Sequence, residues 1–395
     1  MKIASDKERE FILNNLNSDT NKLLLQSNEE DIDVKFCVKQ IIGYNKAKEK
    51  FPSLLEKNNL LFPPKINLEQ TSSEQTAKYK ASLFPKESTL RDLTSGFGID
   101  VIFFAKELKK VYYHEINYEL ACVAEENFKV LELDNIIVNK GNSANDIDSL
   151  EETDIIYLDP SRRDENNNKV FLLKDCQPDI IEILPFLFDK AKTICIKLSP
   201  MLDIKLAIKE INYIKEIHVI SVKNECKELL LVLEKVYEKE IKYTCIDFDT
   251  NGKINKFSFT TEKSITRLAD QKELRMGAYI YEPNTSILKA GGFHSLCERF
   301  EVKKIASHSH LYISEKEIED FPGRKFIIKT ILPYNNKILK TLSTRYPKAN
   351  ITIRNFPQTV SEIRKKTNVK EGGETYLLFT TNKENEKIII SCEKS

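Results

Sequence analysis

Tryptophan is absent from the 395 residues, and glycine (11), proline (13), methionine (3) and histidine (5) are scarce. So little glycine and proline excludes collagen-like repeats, elastic linkers and turn-dense architectures. No apolar run approaches the ~20 residues a membrane-spanning helix needs. The longest, 194–198 and 229–233, have the length of buried strands. The eight cysteines (37, 122, 176, 195, 226, 245, 297, 392) form no Cys-x-x-Cys pair, and of the histidines only His308 and His310 are close together. That pattern argues against a zinc ribbon, a redox pair, a secreted disulfide framework or any resident metal. Neither sign of charge dominates: 61 Lys and Arg face 60 Asp and Glu, a net charge of +1. The opening residues carry no apolar segment of the secretory kind, so a cytoplasmic protein with reduced thiols and no membrane partner is expected.

With 41% hydrophobic and 31% charged residues, a chain of this length has material for two or three domains. Residues 1–85 read as a helical segment, with capping boxes at Ser5-Asp6-Lys7-Glu8, Ser27-Asn28-Glu29-Glu30 and Thr71-Ser72-Ser73-Glu74, the last opening a helix that belongs to a stretch over 69–83. From 86 to 238 short apolar strands alternate with helices. Strands are expected at 89–93, 110–115, 135–139, 154–159, 193–198, 214–221 and 229–236, with helices at 99–108, 118–130 and 178–188 among the connections. That rhythm predicts a parallel sheet covered on both faces. Its last two strands have no helix between them and so form an antiparallel pair at the sheet end. Residues 239–323, expected as a connecting hairpin and a small ferredoxin-like segment, hold a hairpin around Asp249-Thr250-Asn251-Gly252, a strand at 279–281 and one helix over 285–300. Residues 324–395 run βαβαββ, a small ferredoxin-like or related module.

The chemistry lies at the ends of the expected strands. The first ends in Asp92 and leads through Thr94, Ser95, Gly96 and Gly98 into a helix beginning near Asp100. Two glycines let the backbone approach a ligand, and the helix start offers free N–H groups. There is no Gly-Lys-Ser/Thr, and Val101 stands where a dinucleotide fingerprint has its third glycine. Asp92 would repel a pyrophosphate and suits a cationic or amino-bearing ligand. The second strand ends in Glu115, where α/β folds hold a ribose diol. The third leads to Gly141-Asn142-Ser143, where a side-chain amide can meet an adenine edge. The fourth ends in Asp159-Pro160-Ser161-Arg162-Arg163, an acid followed by a rigid turn.

These motifs, together with Lys197-Leu198-Ser199-Pro200-Met201-Leu202 and Asn224-Glu225-Cys226-Lys227-Glu228-Leu229, resemble the class I S-adenosylmethionine-dependent methyltransferases, and more narrowly a bacterial group with a C-terminal THUMP-like domain. The resemblance implies a Rossmann-like seven-stranded domain preceded by a helical segment and followed by an α+β, ferredoxin-like and THUMP-like module. It implies that S-adenosyl-L-methionine is bound by Asp92, Thr94, Ser95, Gly96, Gly98, Asp100, Glu115, Asn142 and Ser143. Asn142 stands where the family usually has Asp. Asp159 and Pro160 match the start of the Asp-Pro-Pro-aromatic motif of amino-group methyltransferases, with Ser161 and Arg162 in place of its second proline and aromatic.

Charge is unevenly spread. Residues 324–370 hold twelve Lys and Arg against Glu362 alone, +11, so the remainder of the chain is −10. Such an excess is the footprint of a polyanion site. Lys340, Arg345, Arg354, Arg364, Lys365 and Lys366, with Arg162 and Arg163, are the expected RNA contacts. The expected activity is methyl transfer to tRNA or rRNA, at a base amine in preference to ring carbon or ribose. A protein or small-molecule acceptor, or an RNA-binding protein with a vestigial cofactor fold, are the alternatives.

Overall fold

The computed structural model describes residues 2–26, 31–57, 59–141, 147–161, 173, 176–260 and 267–395. The chain divides into two compact units. The first comprises Met1–Ile217 and Glu228–Lys239, the second His218–Lys227 and Glu240–Ser395.

The first unit opens with helices α1 (Asp6–Asn14), α2 (Thr20–Gln26), α3 (Val34–Lys50), α4 (Lys65–Gln70) and α5 (Glu74–Ala81). The Ser5 capping box is present: Ser5 Oγ accepts from Glu8 N at 3.3 Å, and Glu8 Oε2 accepts from Ser5 N at 2.9 Å. The Ser27 box lies outside the described residues. The stretch expected as one helix over 69–83 differs: α4 ends at Gln70, and Ser73, not Thr71, caps α5. Lys50 explains the break, because its Nζ donates to the carbonyls of Leu68 (2.8 Å), Glu69 (2.9 Å) and Thr71 (2.6 Å) and stabilises an early end to α4.

Strands β1 (Thr89–Asp92), β2 (Lys110–Glu115), β3 (Ile136–Lys140), β4 (Thr153–Leu158), β5 (Ala191–Leu198), β6 (Ile214–Val222) and β7 (Glu225–Glu234) follow, with helices α6 (Ile99–Glu107), α7 (Tyr118–Val130), α8 (Ile180–Leu187) and α9 (Ile204–Glu210) between them. Their order in the sheet is β3-β2-β1-β4-β5-β7-β6. β1 runs parallel to β2 and β4, and β7 pairs antiparallel with β5. Asp92 faces Tyr113 on one side and Tyr157 on the other, so the ends of β1, β2 and β4 are level. Leu90, Val111, Ile156, Ile194 and Ile196 are buried, as strands covered on both faces require.

In the second unit the tip of the β6–β7 turn is tied to β8 (Lys242–Phe248): Ser221 Oγ donates to Ile246 O, and Asp247 Oδ1 accepts from Asn224 N at 2.9 Å. β8 lies beside β6 and pairs antiparallel with β9 (Ile254–Phe259) across the expected Asn-Gly hairpin, so the β7–β6 pair, expected at the sheet end, is followed by two further strands. Next come β10 (Tyr279–Pro283), α10 (Thr285–Ala290), α11 (Phe293–Arg299), β11 (Lys303–Lys304), β12 (Tyr312–Ser314), β13 (Gly323–Pro333), α12 (Asn336–Arg345), β14 (Asn350–Arg354), α13 (Val360–Thr367), β15 (Thr375–Thr381) and β16 (Lys387–Lys394). The single helix expected over 285–300 is two, because Gly291 takes a left-handed φ of 81° and ends α10. These strands form one sheet, β11-β12-β10-β13-β16-β15-β14, in which only β14 and β15 are parallel neighbours among the pairs described.

This sheet curls. Three strands lie between β10 and β14, yet Glu282 of β10 pairs through one carboxylate oxygen with Arg324 of β13 and through the other with Arg354 of β14. A register shift between Ile328 and Thr330 in β13 supplies a bend. Glu282 is 1% exposed, and both guanidiniums are about two-thirds covered. Replacing Glu282 with Gln leaves two cations without their counter-ion. The partial exposure of the arginines puts the expected loss near about 3 kcal/mol, the lower end for a broken buried pair. Urea unfolding of the second unit checks this, and a loss below about 1 kcal/mol, the worth of a surface pair, would show that the triad is one in energetic terms.

Candidate active site

The strand-end residues meet at the carboxyl edge of β1, β2 and β4. Asp92, 1% exposed, accepts from Thr94 N at 2.9 Å, and Thr94 Oγ1 in turn accepts from Asp159 N, so one threonine joins the first and fourth strand tips. Ser95 Oγ donates to Asp92 O and accepts from His114 N, both at 3.1 Å. Glu115 accepts from Gly96 N at 2.8 Å and from Asn117 N at 2.7 Å, stitching the glycine turn to the end of β2. Each of its oxygens keeps a second lone pair for a ligand hydroxyl. The two glycines differ in purpose. Gly98, the N-cap of α6 at φ 86°, would drive a Cβ to 2.8 Å from Phe128, so packing demands it. Gly96, at φ 56°, has nothing within 4 Å of where a Cβ would stand, so the space beside it is open.

Behind this edge lies a cluster of buried charge. Asp100 Oδ2 accepts from Ser72 Oγ (2.9 Å), Lys80 Nζ (2.8 Å) and Tyr157 OH (2.9 Å). Lys80, wholly buried, also lies 3.0 Å from Glu228 Oε2. Asp100 Oδ1 is buried with no hydrogen-bond partner. Burial pushes the Asp92 carboxyl well above its ordinary range, and the neighbouring Asp100 and Asp159 push the same way. Asp100 ends below its ordinary value: burial raises it, and Lys80 and Lys197 more than offset that.

Sequence reasoning did not single out Lys80 or Lys197 for this site. Lys197, at the end of β5, donates to Asp159 Oδ2. Burial lowers its pKa, but the carboxylates of Asp159, Glu228 and Asp100 outweigh this and hold it raised. The signal was visible: a lysine at the end of an otherwise apolar strand, Thr-Ile-Cys-Ile-Lys-Leu, beside a strand ending in Asp-Pro. Pro160 is buried, and Ser161 exchanges backbone hydrogen bonds with Gln177. Asn142, Ser143, Arg162 and Arg163 lie outside the described residues.

These residues suit a cationic adenosyl sulfonium ligand. Asp92 has only loop donors for its charge, Asp100 keeps an orphaned buried oxygen, and the turn at Gly96 is open. Among the described residues no His, Cys, Asp or Glu cluster could hold a metal ion, and no helix is long and apolar enough to cross a membrane.

The expected RNA contacts separate in the second unit. Arg354 is paired with Glu282, and Arg364 donates to the carbonyls of Val369 (3.0 Å) and Ala349 (3.2 Å), so both half-buried arginines are also tied into the fold. Lys340, Arg345, Lys365 and Lys366 are exposed, as are Lys337, Lys348 and Lys370, and none is within ion-pair distance of a described carboxylate. Apolar Leu339, Leu342 and Ile363 anchor α12 and α13 in the core, leaving the basic residues outward.

Two family models match the second unit, a ferredoxin-like domain over residues 279–322 and a THUMP domain-like module over 323–394. No curated protein matches the chain. Among solved structures, a protein of Porphyromonas gingivalis W83 provisionally named a methyltransferase is 30% identical, with all of both chains covered and a TM-score of 0.88. An rRNA methylase of Streptococcus thermophilus (17% identity, 40% of this chain and 93% of that one, TM-score 0.30) and a tRNA methyltransferase of M. jannaschii (14%, 43% and 52%, 0.30) overlap over shorter lengths. The end-to-end correspondence with the P. gingivalis protein settles the family: this chain belongs to the class I S-adenosylmethionine-dependent methyltransferases in which ferredoxin-like and THUMP-like modules follow the catalytic fold.

Proposed function

We propose that the chain methylates RNA, tRNA or rRNA, at an exocyclic base amine. The observation that carries the RNA reading is the outward basic face of α12 and α13, where Lys337, Lys340, Arg345, Lys365 and Lys366 are exposed and lie outside ion-pair distance of any described carboxylate, Glu362 acting on Lys365 and Lys366 only at longer range. Unpaired lysines and arginines on one face bind phosphates and give position rather than sequence. The THUMP domain-like match over the same residues supports that reading.

In the first unit, Asp92, Thr94, Ser95 and Gly96 line the methionine end of the cofactor, Glu115 takes the ribose hydroxyls, and Gly98 sets the start of α6. Asp100 adds negative charge behind the pocket. Asn142 and Ser143 are assigned to the adenine, and Arg162 and Arg163 to the nucleic-acid backbone. Bound S-adenosylmethionine supplies an activated methyl group. Asp159 and the neighbouring backbone carbonyl accept N–H bonds from the target amine and aim its lone pair, so alignment is the main catalytic term. The cofactor would supply the methyl group and take the C–S electron pair back onto sulfur, and the proton displaced from the methylated nitrogen would pass to solvent.

Incubation with tritiated S-adenosylmethionine and separated tRNA, rRNA and protein fractions tests the acceptor. Label is expected in RNA, and label only in protein would overturn the RNA reading. A triple Lys340→Glu, Lys365→Glu, Lys366→Glu variant is expected to bind RNA more weakly and to flatten the salt dependence of log K by about 2–3, near one for each phosphate no longer neutralised. Gel-shift titration between low and moderate salt reads this out, and an unchanged slope would remove these residues from the RNA surface.

A further inference from the structure

Lys197 has no part in holding the cofactor in this reading, yet it is the cation nearest the residue assigned to the acceptor. Its side chain is 11% exposed, and that of Asp159 is 36% exposed. Lys197 occupies Asp159 Oδ2, and no described donor takes Oδ1. The other charges bearing on Lys197 are the carboxylates of Glu228 and Asp100, and Lys197 also bears on Lys50. Lys80 already serves Glu228 and Asp100. Among the described residues Lys197 is thus the cation within ion-pair distance of Asp159, and the two together carry no net charge.

We infer that Lys197 is a positioning residue that makes the transfer point electrically neutral, so that the site accepts a neutral amine through Asp159 Oδ1 and turns away a cationic one. A lone carboxylate there would stabilise an alkylammonium group, which has no lone pair to attack with. A neutral ion pair gives no such reward, while its free oxygen still accepts an N–H bond from an amine of nucleobase type. The inference deepens the proposed function and rests on its placement of Asp159 at the transfer point. It assigns the acceptor class, a neutral amine rather than a lysine side chain or a small alkylamine.

The test needs no acceptor. S-adenosylhomocysteine has nothing in the place of the methyl group, whereas sinefungin puts a basic amine there. Calorimetric affinities for both are measured on the full chain as wild type, Lys197→Met, Lys197→Arg and Asp159→Asn. In Lys197→Met, the preference for sinefungin is expected to rise by about tenfold or more, since one uncompensated charge at close range is worth at least that. Lys197→Arg is expected to keep the wild-type ratio. Asp159→Asn, which leaves the lysine unpaired, is expected to shift the ratio about tenfold the other way. A ratio unmoved in folded Lys197→Met overturns the inference. If that variant does not fold, an unmoved ratio in Asp159→Asn overturns it, and the expected shift there upholds it. Failure of the wild type to bind either compound would instead strike the cofactor-site reading beneath it.

Discussion

Lys80→Met is expected to cost the first unit about 3–5 kcal/mol, the usual result of removing one partner from a buried ionic cluster. The lysine is wholly buried between Asp100 and Glu228, and methionine fills similar volume without the charge. Two carboxylates would then share an interior with no cation between them. Desolvation favours the protonated form of Asp100, so the variant takes up a proton there or unfolds. The pH dependence carries a sign. In the wild type the Asp100 carboxyl lies below its ordinary value, so its contribution is present above the unfolded value of about 4 and fades as the pH falls through the folded one. The variant lacks the Lys80 share of that contribution, Lys197 still acting on Asp100, and the two stability curves should draw together in acid. Because the chain has no tryptophan, circular dichroism or tyrosine emission in urea is the suitable readout. A deficit under about 1 kcal/mol at neutral pH would show that the cluster is no stronger than surface pairs.

Asp159→Ala carries the second large effect. With the amine acceptor unaligned, methyl transfer is expected to fall by about a hundredfold or more, the scale on which misplacement of reacting groups is felt. Binding of S-adenosylhomocysteine is expected to change little, because Asp92, Thr94, Gly96 and Glu115 keep their mutual hydrogen bonds. Initial rates of tritium transfer to RNA, paired with calorimetry, separate the two quantities. Full transfer by this variant would remove Asp159 from the reaction, and simultaneous loss of cofactor affinity would make it a cofactor residue instead.

Asp92, Glu115 and Asp159 were legible as a group for a topological reason. Alternating strands and helices imply parallel strands, and parallel strands put their carboxyl ends on one edge. Once β1, β2 and β4 were placed, residues far apart in the chain had to be neighbours. The ion pairs were harder to read, because they depend on which side chains turn toward each other across the layers. Lys80 comes from a helix before the sheet begins and Glu228 from the last strand of the unit, and no spacing rule links them. The basic count over 324–370 was sound as a field, yet it could not tell Lys365, outward on α13, from Arg354, whose guanidinium the curl of the sheet delivers to Glu282. The break in the helix expected over 285–300 was legible in retrospect, since two consecutive glycines stand at 291 and 292.

The second unit takes residues from two stretches of chain, His218–Lys227 as well as Glu240–Ser395. Asn224 in the shorter stretch binds Thr285 through both its side-chain and backbone oxygens, and Ser221 reaches the backbone of β8. A fragment cut to begin at Glu240 would therefore discard ten residues of its own unit, the buried His218, Val219, Ile220 and Ser221 among them, along with β6, the neighbour of β8 on the side away from β9. The orphaned border of β8 would offer its amides to any passing strand, so a truncation intended to liberate the second unit would be prone to clumping.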